Sequence, residues 1–147
     1  MAIVIDRAEA ADASGLRICV DAAYAPYTDQ GISLPDVSGG IEQSIASSFV
    51  WVAKDPHQII GGLILSVDGT EAYLENIAIH PDHGGKGIAR QLLETANTAA
   101  VSAGCNIMKL TTHSAQPQNV ALYQHLGWRL VRTQGEKVAM ERDLTPG

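Results

Sequence analysis

The chain has 147 residues, 46% hydrophobic and 18% charged, which suits one globular domain with a single core and excludes a disordered chain. A formal net charge of −6 argues against nucleic-acid binding, which needs a basic surface to displace counterions from phosphates. No basic stretch leads into an apolar segment at the N-terminus, and no apolar run nears the roughly 20 residues of a membrane span, so a soluble cytoplasmic protein without membrane contact is expected.

Ala2 to Ile5 reads as a short strand. Ala11 to Tyr24 follows as a helix carrying Leu16, Val20 and Tyr24 along one face, with Pro26 as its stop. Tyr24 to Pro35 has loop composition with unusual aromatic content, so Tyr24 and Tyr27 are candidates to line a substrate pocket, although packing or turn roles would explain them equally. Val37 to Ser47 suggests a weaker helix, interrupted by Gly39 and Gly40. Phe49 to Lys54, Ile59 to Val67 and Glu71 to Ile79 then read as an antiparallel meander, turned at Asp55-Pro56 and Asp68-Gly69, with Gly61 and Gly62 marking a bulge. From Gly87, the apolar residues Ile88, Leu92, Leu93, Ala96, Ala99, Ala100 and Ala103 form a helical stripe that Gly104 ends. Asn106 to Thr112 is a strand reached by that crossover helix, hence parallel to the strand before it. A short helix over Asn119 to Leu126, closed by Gly127, and a hairpin of Trp128 to Thr133 with Lys137 to Leu144 complete a single domain over 1–147.

The junction His80-Pro81-Asp82-His83-Gly84-Gly85-Lys86-Gly87-Ile88-Ala89 lies between the meander and the long helix. Its glycines permit backbone conformations and close approaches that a Cβ forbids, so several amides can converge on one anion. Gly87, Ile88, Ala89 and Arg90 would supply the helix's first unpaired N–H groups, where the peptide dipoles favour negative charge. A pyrophosphate fits. Lys86 and Arg90 can add a local positive field, although a solvated helix face would carry the same residues. No Gly-Lys-Ser/Thr follows at P-loop spacing, and Arg90 replaces the third glycine of the dinucleotide fingerprint, so neither of those nucleotide folds is expected.

Cys19 and Cys105 read as small buried hydrophobes rather than a disulfide or a nucleophile. His80, His83, His113 and His125 match no compact ligand motif, so no metal is expected.

On these residues the chain resembles the GCN5-related N-acetyltransferases along nearly its whole length. The family pattern Q/R-x-x-G-x-G/A falls on Gly84, Gly85, Lys86, Gly87, Ile88 and Ala89, preceded by Ile77-Ala78-Ile79-His80-Pro81. Gly84 departs from it by replacing the usual Arg or Gln, which removes a side chain placed near the phosphates and weakens cofactor affinity. A second segment, Asn119-Val120-Ala121-Leu122-Tyr123-Gln124-His125-Leu126-Gly127-Trp128, is similar to the family's helix that ends in Gly and an aromatic. Two linked motifs at a familiar separation are far more specific than either alone.

The resemblance implies an α/β (α+β) fold with a mixed, mostly antiparallel central sheet flanked by helices, whose fourth and fifth strands are parallel. It implies acetyl-CoA as co-substrate, held by Ile77, Ile79 and residues 84–90 with Asn119 on the cofactor arm, and Tyr123 beside the sulfur. The partner is then an amine on a small molecule, peptide or protein; a homodimer is left open.

Acetyl transfer to an amine needs a neutral nucleophile, a polarised thioester carbonyl and a proton for the departing thiolate. An alkylamine has a pKa of about 10.4, so it must first lose a proton, and Glu75 on the strand entering the cradle is one candidate base. Strand alternation places Glu75 with Ile77 and Ile79, opposite Leu74, Asn76 and Ala78. His113 competes for the role, with an ordinary pKa of about 6.5. Tyr123, as a neutral phenol, can donate to the thiolate. A main-chain N–H on the cradle strand would polarise the carbonyl. Neither cysteine lies in an activating motif, which favours direct attack in a ternary complex over an acetyl-enzyme. The alternatives are a non-catalytic acyl-CoA sensor or tether, which the loss of Arg/Gln at Gly84 keeps open, and an unrelated nucleotide-binding fold.

Overall fold

Apolar residues that alternate along most strands give the sheet two buried faces, and helices with one apolar stripe each cover them. In the computed structural model, residues 3–29, 40–84, 87–113 and 117–144 are described, with backbone alone for Tyr24, Pro26 to Asp29, His113 and Pro117 to Asn119. The elements are β1 (Val4–Arg7), α1 (Ala13–Asp29), α2 (Ile41–Ser47), β2 (Phe49–Lys54), β3 (Ile59–Asp68), β4 (Glu71–Ile79), α3 (Ile88–Ser102), β5 (Ile107–His113), α4 (Pro117–His125), β6 (Arg129–Gln134) and β7 (Lys137–Asp143). Single 3-10 turns occupy Ala10–Asp12 and Pro81–His83.

The strands form a seven-stranded sheet in the order β1-β2-β3-β4-β5-β7-β6. Every adjacent pair is antiparallel except β4–β5, which are parallel and joined through α3. This is the mixed sheet expected from the sequence. On one face, Trp51, Leu63, Leu65, Leu74, Met108, Leu110 and Met140 pack with Ile88, Leu92, Leu93, Ala96 and Ala100 of α3 and with Tyr123 and Trp128. On the other, Val50, Val52, Ile64 and Ala78 meet Leu16 and Val20 of α1 and Ile41 of α2. Each such fully buried aliphatic side chain stabilises the fold by about 1.5–3 kcal/mol.

Four local expectations are corrected. Helix α1 runs through Pro26 to Asp29, because a proline removes one rung of the ladder at a cost of about 3 kcal/mol without forbidding helix on either side. Tyr24 and Tyr27 therefore stand on helical backbone rather than in a loop; their side chains, and residues 30–39, lie outside the described residues. Helix α2 begins only after Gly40, whose left-handed φ of 77° breaks the helical path. Ala103 is exposed, since α3 ends at Ser102 and Gly104 turns the chain at φ 91°.

The fourth correction concerns β4. The glycines at 61 and 62 stand beside one bulge, where Ala53 pairs with Gly61 and Lys54 with Ile59, leaving Ile60 as the extra residue. A second bulge falls on Glu75: Ile64 pairs with Asn76 and Leu65 with Leu74, so Glu75 has no partner of its own. The extra residue resets the alternation. Leu74 faces α3 together with Ile77 and Ile79, and Ala78 faces α1, so Leu74 does not share a side with Ala78.

Candidate active site

The cradle is built where β4 hands over to α3. His80 N–H still bonds to Ile60 O at 2.9 Å, after which Pro81–His83 makes a 3-10 turn stabilised by Asp82 N–H donating to His80 Nδ1 at 3.2 Å. Gly84 is extended at φ −64°, ψ 153°, a conformation open to any residue. Gly85 and Lys86 lie outside the described residues. Gly87 is the N-cap of α3 at φ 76°, a left-handed conformation that an L side chain adopts only at a cost of about 1–2 kcal/mol.

The first intrahelical bond runs from Gln91 N–H to Gly87 O at 3.1 Å, so the N–H groups of Ile88, Ala89 and Arg90 have no acceptor within the helix. Glycine brings no side chain to cap them, and the first turn holds no acidic residue to compete for their field. These donors, with the helix dipole behind them, suit an anionic phosphate.

Beside this helix end the sheet opens. The β4–β5 ladder stops at Leu74 opposite Leu110, although β4 continues to pair with β3 as far as Ile79 and β5 with β7 as far as His113. The facing edges of residues 75–79 and 111–113 therefore have no strand between them. The bulge at Glu75 falls at the point of divergence. Main-chain donors and acceptors along that edge are left for a ligand that can lie as an extra strand would. Ile77 and Ile79, expected at the cofactor, line this stretch and are half-buried toward α3.

Glu75 is exposed and lines a groove of about 670 Å³ with Tyr73, Lys109, Thr111, Arg132 and Glu141. Tyr73, Lys109 and Glu141 alternate with buried Leu74, Leu110 and Met140, so they project from the face away from α3. The Tyr73 hydroxyl donates to Glu71 Oε2 at 2.5 Å, and Lys109 Nζ donates to Glu71 Oε1 at 3.0 Å. First the tyrosine and then the lysine hold the Glu71 carboxyl below the usual glutamate range, while Glu71 raises Lys109. Sequence reading missed this cluster and the strand divergence. Glu71 and Tyr73 two apart on one strand were a signal for the cluster; the bulge has no glycine or proline at Glu75 to announce it.

Tyr123 is buried within the α3-side core, edge-on to Trp128 with ring centroids 5.6 Å apart. The end of α4 fixes that pair: Trp128 N–H bonds to Tyr123 O at 2.9 Å across Gly127, which turns at φ 98°. Asn119 stands on the α4 backbone and His113 ends β5, but both side chains lie outside the described residues. Burial pushes the Cys19 thiol up to about 11 against a partly opposing hydrogen bond with the His80 backbone, and burial also raises Cys105. Neither has thiolate character at neutral pH. Among the described residues, no group of three or more His, Cys, Asp or Glu could hold a metal ion, and no helix is long and apolar enough to cross a membrane.

Residues 46–130 match the family model described as an acetyltransferase (GNAT) domain, which covers more than half of the chain. The chain belongs to that family. Membership implies acyl-CoA-dependent acetyl transfer, with acetyl-CoA as co-substrate. An acetyltransferase of Sodalis glossinidius is 23% identical over 79 residues, 54% of this chain and 56% of that protein. One of Pectobacterium atrosepticum is 24% identical over 94 residues, 63% of this chain and 67% of that protein. The aligned region thus spans little more than half of the first relative's length.

The fold is shared with the PaiA N-acetyltransferase of Thermoplasma acidophilum, crystallised in complex with coenzyme A, at a TM-score of 0.83 and 19% identity over 97% of this chain and 99% of that one. It is also shared with the ribosomal-protein-S18-alanine N-acetyltransferase of Escherichia coli, at 0.79 and 20% over 99% and 96%. The donor set described above fits the diphosphate of a coenzyme A, since three amides without acceptors in the helix and a dipole end supply what two phosphates need.

Proposed function

We propose that this protein transfers the acetyl group of acetyl-CoA to a primary amine on a small molecule, peptide or protein, by direct attack in a ternary complex in the cytoplasm. The observation that carries the reading is the coincidence of two unsatisfied edges: the bare N-terminus of α3 and the open side of β4 beyond Leu74. The first suits the diphosphate and the second suits an extended, amide-bearing arm leading to the thioester.

In this reading the amides of residues 87–90 hold the phosphates, and Asn119 meets the cofactor arm. Glu75, between the groove and the divergent strands, takes a proton from the incoming ammonium, directly or through water; His113 is the alternative base. The amine nitrogen then forms the new C–N bond as the C–S bond breaks. A main-chain N–H on the open edge of β4 stabilises the carbonyl oxygen, and the Tyr123 hydroxyl returns a proton to the sulfur. The two raised thiols support attack without a covalent acetyl-enzyme. The groove sets Glu75 and Glu141 against Lys109 and Arg132, so its charges balance and it tolerates a cationic acceptor.

Incubation with acetyl-CoA and a panel of amines tests the reading. Thiol release that requires an amine, with a mass gain of one acetyl group on that amine, is the expected result. Coenzyme A binding without amine-dependent release would replace the enzyme with a sensor or tether.

A further inference from the structure

On the sheet face away from α3, helices α1 and α2 pack against β2, β3 and β4, and the groove of about 670 Å³ lies beside them over β5, β7 and β6. Two rows of side chains cross this part of the face. The first runs Tyr73, Lys109, Glu141 and Arg129, each opposite the next across a ladder. Its charges are answered where they stand. Lys109 pairs with Glu71 at 3.0 Å, and Arg129 with Asp143 at 3.1 Å and with Glu141 at 4.0 Å.

The second row runs Glu75, Thr111, Ala139 and Arg132. Thr111 pairs with Ala139 and Ala139 with Arg132; Glu75 follows Leu74, the last residue of β4 to pair with β5, as Thr111 follows its partner Leu110. All four line the groove. Here the charges stand only at the two ends, with a hydroxyl and a methyl between them. Glu75 and Arg132 are exposed, and neither side chain has an ion pair or hydrogen bond among the described residues. They do not answer each other either: three strand spacings, roughly 14 Å, separate their backbones, and side chains stand nearly perpendicular to a sheet. Other cations without a printed carboxylate lie off the groove, Arg7 over the rings of Phe49 and Trp51 and Lys137 at the far end of β7 opposite His113.

A groove that holds one carboxylate and one guanidinium apart complements a molecule with one ammonium and one singly charged anion. A dianionic phosphate would call for a second cation, and Lys109 is already held by Glu71. We propose that the acceptor is an amino acid, its ammonium at Glu75 beside the divergence of β4 and β5 and its carboxylate bound by Arg132. The inference rests on the acetyl-transfer reading above and narrows its acceptor class. Transfer forms the C–N bond, breaks the C–S bond and gives an N-acetylamino acid and coenzyme A thiol; of the two protons the ammonium gives up, one ends on the sulfur and one leaves for solvent. The product keeps its carboxylate but has lost the charge that faced Glu75, which favours its release.

The test is steady-state acetyl transfer by the full chain from acetyl-CoA to α- and ω-amino acids of graded length, each beside its carboxamide and its phosphonate analogue. The natural protein is compared with Arg132→Gln, Arg132→Lys and Lys137→Gln. The best amino acid should exceed its carboxamide at least about tenfold in kcat/KM, and the difference should lie in KM, because the carboxylate is held equally before and during transfer. Arg132→Gln should bring that ratio close to one by raising KM for the acid; comparing the same pair of substrates in both proteins cancels their difference in amine basicity. Arg132→Lys should keep part of the ratio and Lys137→Gln all of it. Coenzyme A affinity by calorimetry should be the same in Arg132→Gln, which reports an intact fold. Equal kcat/KM for acid and carboxamide in the natural protein would overturn the assignment and leave acetyl transfer standing. So would a ratio that survives Arg132→Gln, one that falls as far with Lys137→Gln, or a phosphonate preferred to its carboxylate. Absence of thiol release with every amine would remove the proposed function and this inference together.

Discussion

Gly69 stands in the turn before β4 and Gly87 caps the helix that follows it, both in the left-handed region and both with open space where a Cβ would point. Their consequences are opposite. After Gly69 the chain pairs at once, with Glu71 against Asp68 on one side and Ile107 on the other, and Thr70 O accepts from Asn106 N–H at 2.8 Å. After Gly87 it enters a helix whose first three N–H groups have no acceptor within the helix, next to a strand edge with no neighbouring strand among the described residues. The same conformational device closes a hairpin in one place and leaves helix N–H groups without helical acceptors in the other. A glycine's φ does not make a site; the donors left over after it do.

Replacing each glycine with valine breaks the comparison most sharply. Both substitutions force a side chain into the left-handed region and should cost a similar ~1–2 kcal/mol of stability in chemical denaturation. Only Gly87→Val should weaken coenzyme A binding by calorimetry, by about 100-fold, the loss expected when charge-assisted bonds to a phosphate are displaced. Equal losses at both positions would make the cradle glycine merely structural.

Gly62 sharpens the contrast, because it is required by packing and not by φ. A Cβ there would lie 2.2 Å from Leu16 Cδ1, inside the α1-side core. Gly62→Val should lower stability by about 1–3 kcal/mol and leave coenzyme A affinity intact, read as a shifted urea midpoint with an unchanged slope.

The smallest effect belongs to the fully paired half of β4. Glu71 is held below the usual glutamate range by Tyr73 and Lys109, so its contribution is present at neutral pH. It is lost as the pH falls below the ordinary glutamate value and through the depressed folded one. Glu71→Gln should therefore lower stability slightly at neutral pH and flatten the acid limb of the profile, read as urea midpoints across pH, with coenzyme A affinity unchanged. An unchanged acid limb would mean the pair is neutral to stability, as many exposed pairs are.

Much of the fold was legible because period and punctuation agree. The α3 stripe through Leu92 and Ala96, the hairpin at Gly69 and the crossover that makes β4 and β5 parallel all follow from local pattern. The helix start at the proposed cradle was legible for the same reason, since Gly87 opens a strongly periodic helix. Glu75 was named, but its neighbour Leu74 was set on the wrong side of the sheet, because a bulge depends on how two strands pair and leaves no mark in either alone. Pro26 misled through treating a finite cost as a stop. The groove cluster of Tyr73, Glu71 and Lys109 and the row from Glu75 to Arg132 join residues distant in the chain, which only the topology brings together.

The most direct measurement of the central claim is backbone amide NMR during titration with coenzyme A. Large shifts should appear at Ile88, Ala89 and Arg90 and along residues 75–79, with Gly69, Thr70 and Gly135 unmoved. Shifts confined to other segments, with the α3 amides unchanged at saturation, would contradict the account.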